Sequence, residues 1–276
     1  MNPTRRRRYL NALSIDSYRS RSSVAEQAIE EVAVETLSNE ARRFPAEPQV
    51  PFPSASTRSR VPPPAPPPAP EASPSIASTP AVEVPADWSG LRAMVKDCPR
   101  CKLCATRTQT VFGVGPQDAP LMIVGEGPGA DEDLKGEPFV GKAGKLLDQM
   151  LASIGRSRGE NTYIANVVKC RPPGNRDPEA DEVAACRPYL DRQIELLKPR
   201  LIVALGRVAA QRLLQSDAPL SRLRGPLYQY GAERTPVLVT YHPAYLLRSP
   251  REKSKSWDDL KRVHQLLAQS AATAQA

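Results

Sequence analysis

Five cysteines, two histidines and one glycine-rich, acid-rich loop are the features of this 276-residue chain whose types and spacing could do chemistry. Cys98, Cys101 and Cys104 stand in CPRCKLC, and Cys170 and Cys186 follow with fifteen residues between them. An odd count and no secretory signal argue against a disulfide framework. Three close thiols followed by two distant ones form a metal-site pattern that zinc and iron–sulfur both fit. The competing reading is that Cys170 and Cys186 are ordinary buried cysteines. One thiol is surplus to a four-thiolate site, and spacing alone does not choose between Cys98/Cys101 and Cys101/Cys104. The loop GEGPGADED, Gly125 to Asp133, leaves an apolar run in the manner of phosphate-cradling turns. Yet Glu126, Asp131, Glu132, Asp133 and the later Glu137 would repel a phosphate. Gly125, Gly127 and Ala130 satisfy the GxGxxA of dinucleotide folds, but Pro128 inside the turn and the acidic run make that fit poor.

The elements that position these residues alternate. LMIVG, TYIANVV, RLIVALG and PVLVTYHP read as buried strands. Between and after them, KAGKLLDQMLASIG, DPEADEVAACRPYLDRQIELLK, RVAAQRLLQ and SKSWDDLKRVHQLLAQ read as helices. Strand–helix alternation predicts an α/β fold, a three-layer α/β/α sandwich around a four-stranded, mostly parallel sheet. Ligands of such sheets sit beyond the carboxyl ends of the strands. Four segments fall there: Gly125 to Gly129, Asn166 to Pro173, Gly206 with Arg207, and His242 to Arg248. The acidic loop is therefore one wall of the expected site, beside an asparagine and one of the two histidines.

Composition sets the bounds. Half of the 30 prolines lie before residue 86, including VPPPAPPPAP from Val61 to Pro70. That run is a stiff polyproline spacer that cannot pack a core. The chain divides into an N-terminal arm (1–53) with RRRR and a short amphipathic helix, a disordered proline-rich linker (54–85) and a folded domain (86–276). Up to Pro85 there are 10 basic and 9 acidic residues, so the domain carries +7 of the net +8. A basic domain suits an anionic partner, nucleic acid first among them. No apolar stretch is long enough to span a bilayer, and no apolar region follows the arginines as a secretory signal requires. A cytoplasmic, nucleoid-associated monomer is expected, with a repair or replication protein as a further partner for the arm.

Taken together, GEGPGADED, GEPFVGKAGKLLD, NVVKCRPPGNRDP, ALG, HPAYLLR and the split cysteines resemble the family-four, iron–sulfur uracil-DNA glycosylases. The likeness runs from about Cys98 to Leu267 and leaves the first ninety residues outside. It implies the fold of that superfamily and hydrolysis of the uracil N-glycosidic bond in single- or double-stranded DNA. A non-catalytic, metal-stapled module that binds damaged DNA is the alternative, and a nucleotide-binding oxidoreductase a third reading.

The resemblance also implies roles. Gly127 and its neighbours let the backbone approach the base, and Phe139 stacks on uracil. Asn166 reads the base edge, since an amide offers the donor and acceptor that uracil's O4 and N3–H require. His242 donates to uracil O2 as the base leaves as an anion, a contribution of about 3–4 kcal/mol by oxyanion-hole precedent. Glu126 activates the water or supports the positive sugar, with Asp131, Glu132 and Asp133 as rivals. Leu246 is the wedge that fills the gap left by a flipped base. Arg248, Arg171 and Arg176 meet phosphates. Cys98, Cys101, Cys170 and Cys186 hold a structural 4Fe-4S cluster, leaving Cys104 as a departure from the usual motif. A related branch links covalently to DNA through a histidine in an inserted loop; Lys169 to Glu182 contains neither.

Overall fold

The computed structural model describes residues 83–273. The expected arm (1–53), and all of the expected linker (54–85) except its last three residues, lie outside the described residues.

Short β-rich runs make the sheet. β1 (Leu121–Gly125), β2 (Thr162–Asn166) and β3 (Leu201–Leu205) are buried at every position, as strands covered on both faces must be. A short strand, β4 (Leu227–Tyr230), precedes the last one, β5 (Thr235–Thr240). The spatial order is β2-β1-β3-β5-β4. The first four are mutually parallel and in register, with Gly125 beside Asn166, while β4 runs antiparallel to β5. The sheet thus has five strands rather than the expected four. β4 escapes a periodicity reading because its four residues, LYQY, lie at the edge and alternate between exposed and half-buried. At the opposite edge Val114 exchanges both backbone hydrogen bonds with Ile164, at 2.9 and 2.7 Å.

Strand side chains alternate between two cores. Met122, Val124, Tyr163, Ala165, Ile202, Ala204, Val237 and Val239 face α1 (Trp88–Lys96), α4 (Ala180–Leu197) and α5 (Gly206–Leu214). Leu121, Ile123, Ile164, Leu201, Val203 and Leu238 face α3 (Lys142–Ser153), α7 (Pro243–Arg248) and α8 (Lys253–Thr273). Three layers result, as expected. A one-turn helix, α6 (Leu220–Leu223), bridges α5 and β4. The acidic stretch expected as loop forms a helix, α2 (Ala130–Lys135), with three acids in its first turn, where the helix dipole favours negative charge. Among the described residues no helix is long and apolar enough to cross a membrane.

Candidate active site

The parallel strands end at one open cleft of about 440 Å³. Glu126 and Gly127 reach it from β1, Asn166 from β2 and His242 from β5, with Phe139, Arg176 and Arg248 also in its wall. Of the residues expected to act on base, sugar or phosphate, all but Arg171 and Leu246 therefore converge here.

The turn after β1 is held by its own acids. Glu132 accepts from the backbone N–H of Gly129 at 3.0 Å, Val140 at 2.9 Å and Gly141 at 3.1 Å. Asp133, buried, accepts from Thr108 N at 3.0 Å and Gln109 N at 3.4 Å. The run of charge that makes phosphate binding implausible is thus a pair of internal clasps. Phe139 follows in the left-handed region at φ 56°, its carbonyl accepting from Arg158 Nη2 at 2.8 Å. Its ring lies 5.6 Å from the His242 imidazole, with 32° between the planes. A Cβ at Gly125 would stand 2.5 Å from Asn166 Oδ1 and 2.6 Å from Phe139 Cζ, so only glycine lets the ring and the amide meet.

Asn166 is 1 % exposed, and its Oδ1 is buried with no hydrogen-bond partner. Leaving such an acceptor unpaired costs about 1–3 kcal/mol, so this atom is prepared for a donor from outside. Beneath it, Lys169 Nζ donates to Asn166 O at 2.9 Å and to Gln193 Oε1 at 2.6 Å. His242 caps α7: its Nδ1 accepts from Ala244 N at 3.1 Å, which places the proton on Nε2. Burial, then the Arg248 cation, pull its pKa down to about 4 against the opposing pull of Glu132. The imidazole is neutral at physiological pH and donates through Nε2. Glu126 moves the other way: burial, then Asp177 beside it, push its carboxyl up to about 7, while Arg207 pulls back. Asp177 and Arg207 form an ion pair. Asp177 was not among the residues expected at the site; it lies in the loop between two cysteines, where nothing in the sequence ties it to Glu126.

The DNA-facing expectations change in detail. Leu246 is 1 % exposed and packs in the core with α3 and α8, because α7 turns that face inward. The exposed apolar side chains of the same turn are Tyr245 at 37 % and Leu247 at 44 %. Arg176 places two nitrogens on Glu182, at 2.9 and 2.6 Å, pinning the loop to the start of α4. Arg171 donates to Asn175 Oδ1 at 2.8 Å, and Arg248 is exposed.

A second cavity gathers thiols. Cys98, Cys101, Cys170 and Cys186 line it together with Arg100, Arg107, Lys169 and Tyr189. Cys104 does not; its Sγ lies 3.9 Å from Pro99 O. Among the described residues no three Cys, His, Asp or Glu side chains converge as ligands of a single metal ion. The surroundings nonetheless suit sulfur that carries charge. Arg107 Nη1 donates to Cys170 Sγ at 3.2 Å, Lys169 N to Cys186 Sγ at 3.2 Å and Tyr189 Oη to Cys98 Sγ at 3.1 Å. Arg100 Nη1 is buried there without a partner. An unpaired guanidinium nitrogen and three donors aimed at sulfur fit an anionic, thiolate-held group.

Comparison with known proteins agrees with this geometry. Residues 112–261 match the model of the uracil DNA glycosylase superfamily. The chain is 45 % identical over 185 residues to the type-4 uracil-DNA glycosylase of Archaeoglobus fulgidus, covering 65 % of this chain and 92 % of that protein. To the type-4 uracil-DNA glycosylase of Thermotoga maritima it is 46 % identical over 157 residues, 56 % of this chain and 80 % of that one. A type-5 uracil-DNA glycosylase of Pyrobaculum aerophilum is 31 % identical over 146 residues, 48 % of this chain and 64 % of its own.

Proposed function

This chain belongs to the uracil-DNA glycosylase superfamily, with type-4 enzymes among its relatives, and we propose that it removes uracil from DNA. It hydrolyses the N-glycosidic bond of a flipped-out deoxyuridine and leaves an abasic site, the first step of base-excision repair.

The observation that carries this reading is the unpaired, buried Oδ1 of Asn166 in the cleft that also holds a neutral histidine donor. Uracil's N3–H supplies the missing donor, and the amide N–H₂ meets its O4. Cytosine presents an acceptor at N3 and a donor at its amino group, leaving both ends of Asn166 mismatched. Phe139 stacks on the base. As the C1′–N1 bond breaks, charge grows on uracil O2, and the His242 Nε2–H stabilises it without a proton having to be moved. A module that only bound DNA would have no use for a donor at a leaving group. Glu126, in its ionised form, orients the attacking water and offsets the positive charge on the sugar. Leu247, rather than the buried Leu246, serves as the wedge, and Arg248 meets a phosphate.

Cys98, Cys101, Cys170 and Cys186 would hold a 4Fe-4S cluster, whose contribution is to staple the segment after α1 to β2 and α4. The residues here take no redox step; they secure the loop that carries Arg176 and Asp177.

An oligonucleotide with one central uracil, incubated with the protein and then alkali, tests the assignment. Scission is expected at uracil and not at a thymine control. His242→Ala should slow it by roughly 100- to 1000-fold. Asn166→Asp should weaken uracil removal, and Leu247→Ala should slow excision from duplex more than from single strands. Absence of scission by protein that binds the oligonucleotide would leave a binding module in place of an enzyme.

A further inference from the structure

Two carboxyl groups from different parts of the chain meet in the cleft. Glu126, just past β1, and Asp177, on the loop between Cys170 and Cys186, both line it, and Asp177 acts on the Glu126 carboxyl. Two carboxylates in one cleft repel unless a proton or a cation offsets their charge. A cation is present: Arg207, in the first turn of α5, pairs with Asp177. The arrangement is a chain, Glu126–Asp177–Arg207, running from the cleft toward solvent. The Asp177 and Arg207 side chains are 59 % and 51 % exposed, so neither is needed to hold a core together. A second charge placed beside a half-buried carboxyl is a usual way of tuning a catalytic group.

We propose that Asp177, together with Arg207, is a positioning residue for Glu126: the acid and its paired cation set the electrostatic surroundings in which the Glu126 carboxyl acts. The proposal rests on the glycosylase reading and deepens it by assigning a role to a residue of the cysteine-bearing loop. The groups that face the cleft beside Glu126 are Asp177, Arg176, Glu132, His242, Tyr245 and Arg248, with Arg207 paired to Asp177. Arg176 is committed to Glu182 and Glu132 to backbone N–H groups. His242 titrates near 4, well below the range in which Glu126 changes charge. The acid limb of the reaction therefore belongs to Glu126, and its neighbours move that limb in opposite directions. Removing the Asp177 charge favours the Glu126 carboxylate, and removing Arg207 leaves Asp177 uncompensated and disfavours it.

The experiment is a set of single-turnover pH–rate profiles on a uracil oligonucleotide for the full-length, cluster-loaded protein and three variants. The unaltered protein should lose rate as pH falls through about 7. Asp177→Asn should shift that limb down by about one pH unit, and Arg207→Gln should shift it up. Glu126→Gln should abolish the limb. A carbon-13 NMR titration of the Glu126 carboxyl, without DNA, reads the same shifts independently of activity. If the titration of Glu126 stays fixed in both variants, or moves the same way in both, the proposal is overturned. Failure of excision with the opposed NMR shifts intact would count against the glycosylase reading and leave the pairing standing.

Discussion

Two loops wall the cleft from neighbouring strands, and they are secured by opposite means. The loop after β1 closes on itself: Glu132 and Asp133 gather backbone N–H groups from residues 108–109, 129 and 140–141. The loop after β2 is tied elsewhere. Cys170 and Cys186 face Cys98 and Cys101 across a cavity, and Arg176 pins its tip to Glu182. The first loop carries its own fastenings within the sheet's sequence neighbourhood. The second depends on residues some seventy positions earlier and on whatever the thiols hold. One wall is a built-in part of the fold, and the other is assembled.

That contrast can be broken at the assembled wall first. On the proposed cluster assignment, Cys186→Ser should cost on the order of 4 kcal/mol, since losing a metal ligand belongs to the large class of single-residue effects. Thermal unfolding followed by circular dichroism should show a Tm lower by roughly 8–16 °C, with iron content falling alongside. An unchanged Tm would mean that the second loop, like the first, needs no bound group. Next comes the built-in wall. Glu132→Gln keeps the shape but removes the charge from an acceptor of three N–H groups, a loss of about 2 kcal/mol. Its signature should be a lower Tm with iron content untouched, together with slower excision because the Phe139 segment is released. Iron loss in this variant would show that the two walls are not independent. Smallest is Arg176→Gln. That side chain is partly exposed, so the expected drop in stability is smaller than for Glu132→Gln, and it should shrink further in high salt. Denaturant titrations at low and high ionic strength would separate it from the other two.

Much of this molecule is legible in its residues, and the rest fails for identifiable reasons. Four strands show because continuous apolar runs such as LMIVG and RLIVALG permit little else. The site's strand-end residues follow, since parallel sheets put Gly125, Asn166 and His242 at one end. β4 is hidden because an edge strand of four half-exposed residues has almost no pattern. The acids of α2 invite a ligand-binding reading because their partners are backbone N–H groups up to some twenty-five residues away. Leu246 and Leu247 are interchangeable on paper; only the packing of α7 against α3 and α8 decides which one is buried. Asp177 reaches Glu126 through tertiary structure alone. Periodicity reports which face of an element is apolar, and it is silent on which distant group meets a given charge.

The two borders of the sheet bear on how the protein behaves in a crowded solution. Unpaired strand edges are templates on which other chains can add and polymerise. On the β2 side Val114 takes up both backbone groups of Ile164. On the other side the border strand is only four residues long, follows Pro226 and ends at a turn through Gly231. Among the described residues, Ile164 of the β2 border is already paired and the β4 border is short, so strand addition finds no long template in this sheet.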